Sequence, residues 1–243
     1  MVSLGKVTIV ILTFNTISKL GKEFLDKVIQ STLQQSYPFL EVYVVDNGST
    51  DGTSEYVERN YDKKFSNLKV LRLRKNYGWS GGNNQASIFA KQSEFIFFMN
   101  DDVILLERDC IYKMVTAMNE DKSLGAIQPL IRNKDGSLNP GADLSISGLI
   151  SRASNALPFY LSGAALLTRS KTFFQVGMFD EDLFLYHDDV DYCWRLKLAG
   201  YKVTYLSDVS AYHYVSATLG LSLIHISEPT RPRLISYAVF CLK

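Results

Sequence analysis

Cysteine is scarce in this chain of 243 residues: there are three, Cys110, Cys193 and Cys241, far apart and with no C-x-x-C pair. That set excludes a disulfide framework or a cysteine-rich zinc site and fits buried thiols in a reducing compartment. An excess of charge of either sign is also lacking. With 26 basic and 25 acidic side chains the formal charge is +1, which excludes the broad basic footprint of a nucleic-acid binder. Any anionic ligand must therefore be held locally. Long apolar runs are missing too. The opening "MVSLGKVTIVILTF" is too short to span a membrane, and it lacks the basic start and small-residue cleavage site of a secretory signal. No fixed-period repeat or low-complexity tract occurs. These absences lead to the expectation of a cytoplasmic domain, free or peripherally attached at the inner membrane surface.

What is present is a 47% hydrophobic composition, enough to fill the core of a large α/β domain. Residues 7–13, "VTIVILT", form a continuous β-branched run, as a parallel strand covered on both faces would. Helical spacing of Leu20, Phe24, Val28 and Leu33 follows over 16–36. The unit then repeats. Strands are expected at 40–46, 68–73 and 94–100, with a short helix after the second and one reaching about residue 92 after the third. Strands alternating with helices specify a parallel, doubly wound sheet, and ligands of such sheets collect beyond the carboxyl ends of the strands. Further on, a helix is expected over 107–120, a strand near 124–131, a mobile loop over 132–158 and a return of order with "FYLSGAALLT" over 159–168. A short helix, a helix over 189–199 closed by Gly200, and a strand over 201–206 complete the pattern.

Each polar motif lies where a strand ends. Asp46 opens "DNGSTDG", which reads as turn chemistry or as a nucleotide site, Asp46 accepting hydrogen bonds from the imide and ribose of a pyrimidine nucleotide. Thr13, Phe14 and Asn15, ending the first strand, would form the other wall. The loop "KNYGWSGGNN" offers Gly78, Gly81 and Gly82 for close backbone approach, flanked by Asn76 and Asn84; it suits a phosphate or a sugar, or is a plain tight turn. In "FFMNDDVIL", Asn100 precedes two adjacent carboxylates, Asp101 and Asp102. Like charges about 4 Å apart at intermediate dielectric cost on the order of 4 kcal/mol. A magnesium or manganese ion removes that conflict, and a solvated or helix-capping pair is the other reading. In "FLYHDDVDYCWRLKLAG", Asp188 or Asp189 is an N-cap, with Asp191 favouring the helix dipole. Adjacent side chains diverge by about 100° on a helix, so one acid can cap while the other projects as a general base. His213 follows a strand and is either a packed histidine or an additional ligand near Asp102. His187 lines the cleft at most, and His225 carries no functional weight.

Taken in order, "TFN", "VVDNGSTDGT", "NYGWSGGNN", "MNDDV", "SGAALLTR", "GMFDEDLFLYHDDVDYCWRLKLAGY" and "AYHYVSAT" resemble glycosyltransferase family 2, the inverting enzymes of the GT-A fold, and especially its rhamnosyltransferase-like branch. The resemblance covers residues 7 to about 218. It implies a UDP- or dTDP-sugar donor at Thr13, Asn15, Asp46, Asn76, Gly78, Asn84, Asn100 and Asp101. It further implies Mg2+ or Mn2+ on Asp102 and His213, Asp189 as catalytic base, and Gly163, His187 and Asp188 toward a saccharide or lipid-linked acceptor. Asp188 stands where the family usually has Glu. The expected organisation is one GT-A domain over 1–221, with a nucleotide-sugar half (1–103) and an acceptor half (104–221). The tail, 222–243, resembles a translated sequencing adapter and would place the natural end near 221. A non-catalytic nucleotide-sugar-binding module and a metal-dependent nucleotidyltransferase are the alternatives.

Overall fold

The computed structural model describes residues 4–138, 158, 160–185 and 187–214. In chain order these form β1 (Val7–Thr13), α1 (Thr16–Leu20), α2 (Lys22–Leu33), β2 (Leu40–Asp46) and α3 (Thr53–Val57), the last continued by one π-helical turn. Then come β3 (Leu68–Arg72), α4 (Gly78–Ser87), β4 (Phe95–Asn100), β5 (Val103–Leu105), α5 (Cys110–Glu120) and β6 (Leu124–Arg132). The last elements are β7 (Ala165–Arg169), α6 (Ser170–Gln175), α7 (Asp188–Leu198) and β8 (Lys202–His213).

The described strands make one eight-stranded sheet in the order β3-β2-β1-β4-β7-β6-β8-β5. β3, β2, β1 and β4 run parallel, β7 is antiparallel to β4 and β6, and β6 and β8 are again parallel. The fold is a doubly wound, mostly parallel α/β sheet, as the alternation of strand and helix requires.

Every residue of β1 is buried, because helices cover both faces. Ile9 and Ile11 point into one core with Leu25, Val28 and Ile29 of α2 and Met114 and Val115 of α5. Val10 and Leu12 point into the other with Phe98, Phe173, Phe179 and Tyr192. Each such side chain contributes roughly 1.5–3 kcal/mol by leaving water, so the strand ends are held on a rigid base.

The structure refines the sequence expectations at four points. The helix over 16–36 is broken at Gly21, whose φ of 83° and ψ of 159° suit glycine alone, and it ends at Leu33. The ordered stretch over 159–168 is strand only from Ala165. Upstream, the Leu161 amide turns to Cys193 Sγ at 3.3 Å and the Ser162 amide to Gln128 Oε1 at 2.7 Å, so those amides leave the ladder. The last strand runs to His213 instead of stopping near 206, with a register shift opposite Pro129 and Leu130. β5, three residues long, is additional. Most of the loop expected over 132–158, and all of the tail at 222–243, lie outside the described residues.

Candidate active site

The sheet register sets the first part of the site. Thr13 is paired with Asp46 across β1 and β2, and Leu12 with Asn100 across β1 and β4, so three polar strand ends are side by side. The loops beyond them are stitched together. Asn15 adopts a left-handed backbone (φ 52°), accepts the Thr50 amide on Oδ1 at 2.8 Å and donates its own amide to Ser49 Oγ at 2.8 Å. The Ser49 amide in turn donates to Asp46 Oδ1 at 2.9 Å. Thr13 Oγ1 donates to the Val45 carbonyl at 3.1 Å. Asp46 is buried within this turn, and Asn15 serves to shape it.

Asn47, which the sequence presents as one more turn residue, joins this turn to the glycine-rich loop. Its Nδ2 donates to Asn76 Oδ1 and to the Gly78 carbonyl, each at 3.0 Å, and its Oδ1 accepts the Tyr77 amide at 3.0 Å. Asn76 Oδ1 also accepts the Gly78 amide at 2.8 Å. Gly78 is obligatory here: its φ is 75°, and a Cβ would fall 2.4 Å from the Phe184 carbonyl oxygen. Asn84 looks the other way. Its Nδ2 donates to the Phe179 carbonyl at 2.9 Å and Glu181 Oε1 at 3.1 Å, and its Oδ1 accepts the Phe179 amide at 3.1 Å, which makes it a brace between α4 and the segment before α7.

At the end of β4 the three polar residues separate. Asn100 Oδ1 accepts the indole N–H of Trp79 at 2.7 Å. Asp101 is buried and turns toward the start of α1, where it accepts the Thr16 hydroxyl. Burial first, and the charge of Asp102 second, push Asp101 up to about 7, opposed by hydrogen bonds from Thr16 and the Phe14 amide and by Lys19. Asp102 is also buried. Pairing of Val103 with His213 brings the start of β5 to the end of β8, and His213 Nε2 lies 3.1 Å from Asp102 Oδ1. That contact is within ion-pair range but is not aligned as a hydrogen bond, so Oδ1 is buried without a donor.

An orphaned carboxylate oxygen beside an imidazole nitrogen fits a divalent cation with oxygen and nitrogen preferences. Among the described residues no group of three His, Cys, Asp or Glu side chains could hold an ion. Asp102 and His213 could supply two ligands of such an ion, and magnesium and manganese commonly take the rest from water and substrate phosphate.

The third part is the start of α7. His187, exposed and left-handed (φ 66°), occupies the N-cap position, so the capping expected of Asp188 or Asp189 is corrected: the two acids lie in the first turn. Asp188 Oδ1 accepts the Asp189 amide at 3.1 Å and Asp189 Oδ1 accepts the Val190 amide at 2.8 Å. Asp189 Oδ2 accepts the Gly163 amide at 3.0 Å. Burial raises Asp189, against the Gly163 and Val190 amides, which hold it down. Burial, then the neighbouring charge of Asp189, pushes Asp188 up to about 7, and its Oδ2 is 3.1 Å from Ser80 Oγ. Asp191 is spent on Arg195, at 2.6 Å.

Contacts run through the site from one motif to the next. Trp79 packs where Gly163 lacks a side chain, Asn100 donates its amide to the Ala164 carbonyl at 3.0 Å, and Gly163 holds Asp189. Asn47, Thr16, Trp79 and Ser80 were not singled out from sequence. The indole of Trp79, a donor embedded in a glycine-rich loop, was the available signal.

A family profile described as "Glycosyl transferase family 2" matches residues 8–193. The chain is 30% identical over 217 residues to the N-acetylglucosaminyl-diphospho-decaprenol L-rhamnosyltransferase of Mycobacterium tuberculosis, covering 74% of this chain and 68% of that protein. It is 27% identical over 208 residues to the poly-beta-1,6-N-acetyl-D-glucosamine synthase of Staphylococcus epidermidis, with 82% of this chain and 48% of the relative covered. The chain thus spans about half the length of that relative. Among solved structures, the mannosyltransferase PcManGT of Pyrobaculum calidifontis superposes with a TM-score of 0.72 at 21% identity, over 88% of this chain and 58% of that one. S. aureus TarS 1-349 superposes with a TM-score of 0.68 at 22% identity, over 86% and 60%. The sheet is of the GT-A type seen in these structures. With the family profile spanning most of its length, the chain belongs to glycosyl transferase family 2.

Proposed function

We propose that this chain is the catalytic domain of an inverting glycosyltransferase that moves a sugar from a nucleotide-diphosphate donor, a UDP- or dTDP-sugar, to a hydroxyl of a saccharide or lipid-linked acceptor. The observation that carries the reading is the unbonded Asp102 Oδ1 beside His213 Nε2, on the same sheet edge as Asp46 and Asn100. Residues 1–103 supply the nucleotide-sugar half and 104–221 the acceptor half.

Asp46 and the turn held by Asn15 and Ser49 receive the nucleoside. Asp102 and His213 would hold a divalent cation, which would supply positive charge against the leaving diphosphate. Structurally similar proteins support this: PcManGT was solved with GDP-Man and Mn2+, and TarS with UDP. Asp189 takes the proton of the acceptor hydroxyl as its oxygen bonds to the anomeric carbon; the bond from that carbon to the diphosphate breaks, and its electron pair leaves with the diphosphate. A carboxylate raised by burial is a stronger base than one in water, and two backbone amides fix its direction. No covalent intermediate is required.

The test is release of free nucleoside diphosphate from a panel of UDP-, dTDP- and GDP-sugars, with and without MnCl2 and with simple glycoside acceptors. Manganese-dependent release from one donor is expected. Absence of release from every donor, together with pyrophosphate release from a nucleoside triphosphate, would replace the transferase with a nucleotidyltransferase.

A further inference from the structure

Trp79 is unused by the reaction described above, yet its ring is fixed on several sides. Its amide donates to the Phe184 carbonyl at 3.0 Å. Its ring meets Phe179 edge-on at 4.6 Å between centroids. Its far edge occupies the space where Gly163 has no side chain, so closely that a Cβ there would be 2.8 Å from the ring. Held in this way, Nε1–H points at Asn100 Oδ1, 2.7 Å away.

An indole N–H only donates, so the atom it meets must be the carbonyl end of the carboxamide. The orientation of Asn100 is thereby settled: Oδ1 is occupied, and no hydrogen bond of the described residues uses Nδ2. The next two residues are acids, and a third carboxylate at this position would set three like charges in a row. Asn100 brings none.

We propose, on the basis of the transferase reading of the site, that Trp79 is a positioning residue that locks Asn100 as a neutral hydrogen-bond donor, and that Asn100 Nδ2 receives an oxygen of the donor's diphosphate. Specificity at this point is for an acceptor oxygen, and a hydroxyl offering its proton is disfavoured.

Binding of UDP, dTDP and GDP in the presence of MnCl2 is measured by calorimetry, and the diphosphate that binds is carried through a double-mutant cycle. Trp79→Phe keeps an aromatic ring but removes the N–H together with the far edge of the indole; it is expected to weaken binding about 3- to 10-fold, the worth of one hydrogen bond. Asn100→Ala should cost at least as much. Trp79→Phe added to Asn100→Ala should cost nothing further, because the two residues act as one. Asn100→Asp should bind more weakly than Asn100→Ala. Fully additive penalties, or an Asn100→Asp protein that binds like the wild type, overturn the proposal while manganese-dependent binding leaves the transferase reading standing. A wild type that binds none of the three diphosphates overturns both. Should Trp79→Phe fail to fold, the indole N–H resonances decide. Of the two tryptophans, one signal must move in Asn100→Ala and the same signal must move when UDP and MgCl2 are added to the wild type. Unmoved signals sink the idea.

Discussion

The amide of Gly163 donates to Asp189 Oδ2 at 3.0 Å, which ties the segment entering β7 to the first turn of α7 and fixes one oxygen of the proposed base. The other oxygen is fixed by the Val190 amide at 2.8 Å. Replacing the acid by its amide keeps the shape and removes the proton acceptor. Asp189→Asn is expected to lower transfer by about 10²- to 10⁴-fold while the dissociation constant of the nucleoside diphosphate stays within about twofold. Transfer at the normal rate would remove Asp189 from the mechanism.

Gly163 itself is a steric requirement. A Cβ there would be 2.8 Å from the Trp79 ring and 3.4 Å from Asp189 Cβ. Gly163→Ala should cost about 1–3 kcal/mol of stability by overpacking and lower kcat more than it raises KM for the sugar donor. An alanine variant with unchanged melting temperature and unchanged kcat would show that the ring and the helix are free to shift.

The buried, unbonded Asp102 Oδ1 predicts a sign change. In EDTA, Asp102→Ala should be at least as stable as the wild type, since it removes a desolvated carboxylate. With MnCl2 and UDP added the order should invert. Ligand at about 100 times its dissociation constant stabilises only the protein that binds it, by roughly 2.7 kcal/mol. Thermal melts in the two buffers settle it, and a Mn2+-induced shift that survives in Asp102→Ala would place the ion elsewhere.

Asp188 predicts a pH dependence. Below about pH 4 the acid is protonated in both folded and unfolded chains and contributes nothing. As pH rises the unfolded chain ionises first, whereas burial keeps the folded group protonated up to about 7, so the wild type loses stability through that window. The loss is complete above it. Asp188→Asn should therefore melt near the wild type at pH 4 and gain on it progressively, by on the order of 2–4 kcal/mol at pH 8. A constant difference across the range would mean that Asp188 is ionised in the folded protein.

Asn84 separates bracing from ligand binding. Its carboxamide satisfies the Phe179 amide and carbonyl, and Asn84→Ala leaves both without it, at a cost of about 2–3 kcal/mol. The KM for the sugar donor should stay unchanged. A raised KM with normal stability would return Asn84 to the donor site.

How much of this was legible in the sequence depended on burial and length. β1 and β4 are buried on both faces and β2 is buried toward its carboxyl end, so their apolar runs begin and end within a residue of the expected bounds. β5 is too short to carry a period. The stretch before Ala165 is apolar because Leu161 is packed in the core, and composition cannot tell a buried loop from a buried strand. Asp46, Asp101 and Asp102 are visible as strand-end motifs, since parallel strands put them at one edge, and Asp188 and Asp189 as the acidic start of a helix. What composition conceals is the partner of each side chain: Asn15 and Asn84 both look like ligand residues and serve as braces, whereas Asn47 and Trp79 look like turn and core.

Asn47 has a practical consequence for anyone re-engineering donor choice. Because its carboxamide clamps Asn76, Tyr77 and Gly78, the turn after β2 and the loop after β3 form a single cassette although about thirty residues of chain separate them. A graft that imports the glycine-rich segment from a relative without the matching residue at position 47 would seat it on a broken hinge pin, so the two must be transplanted together.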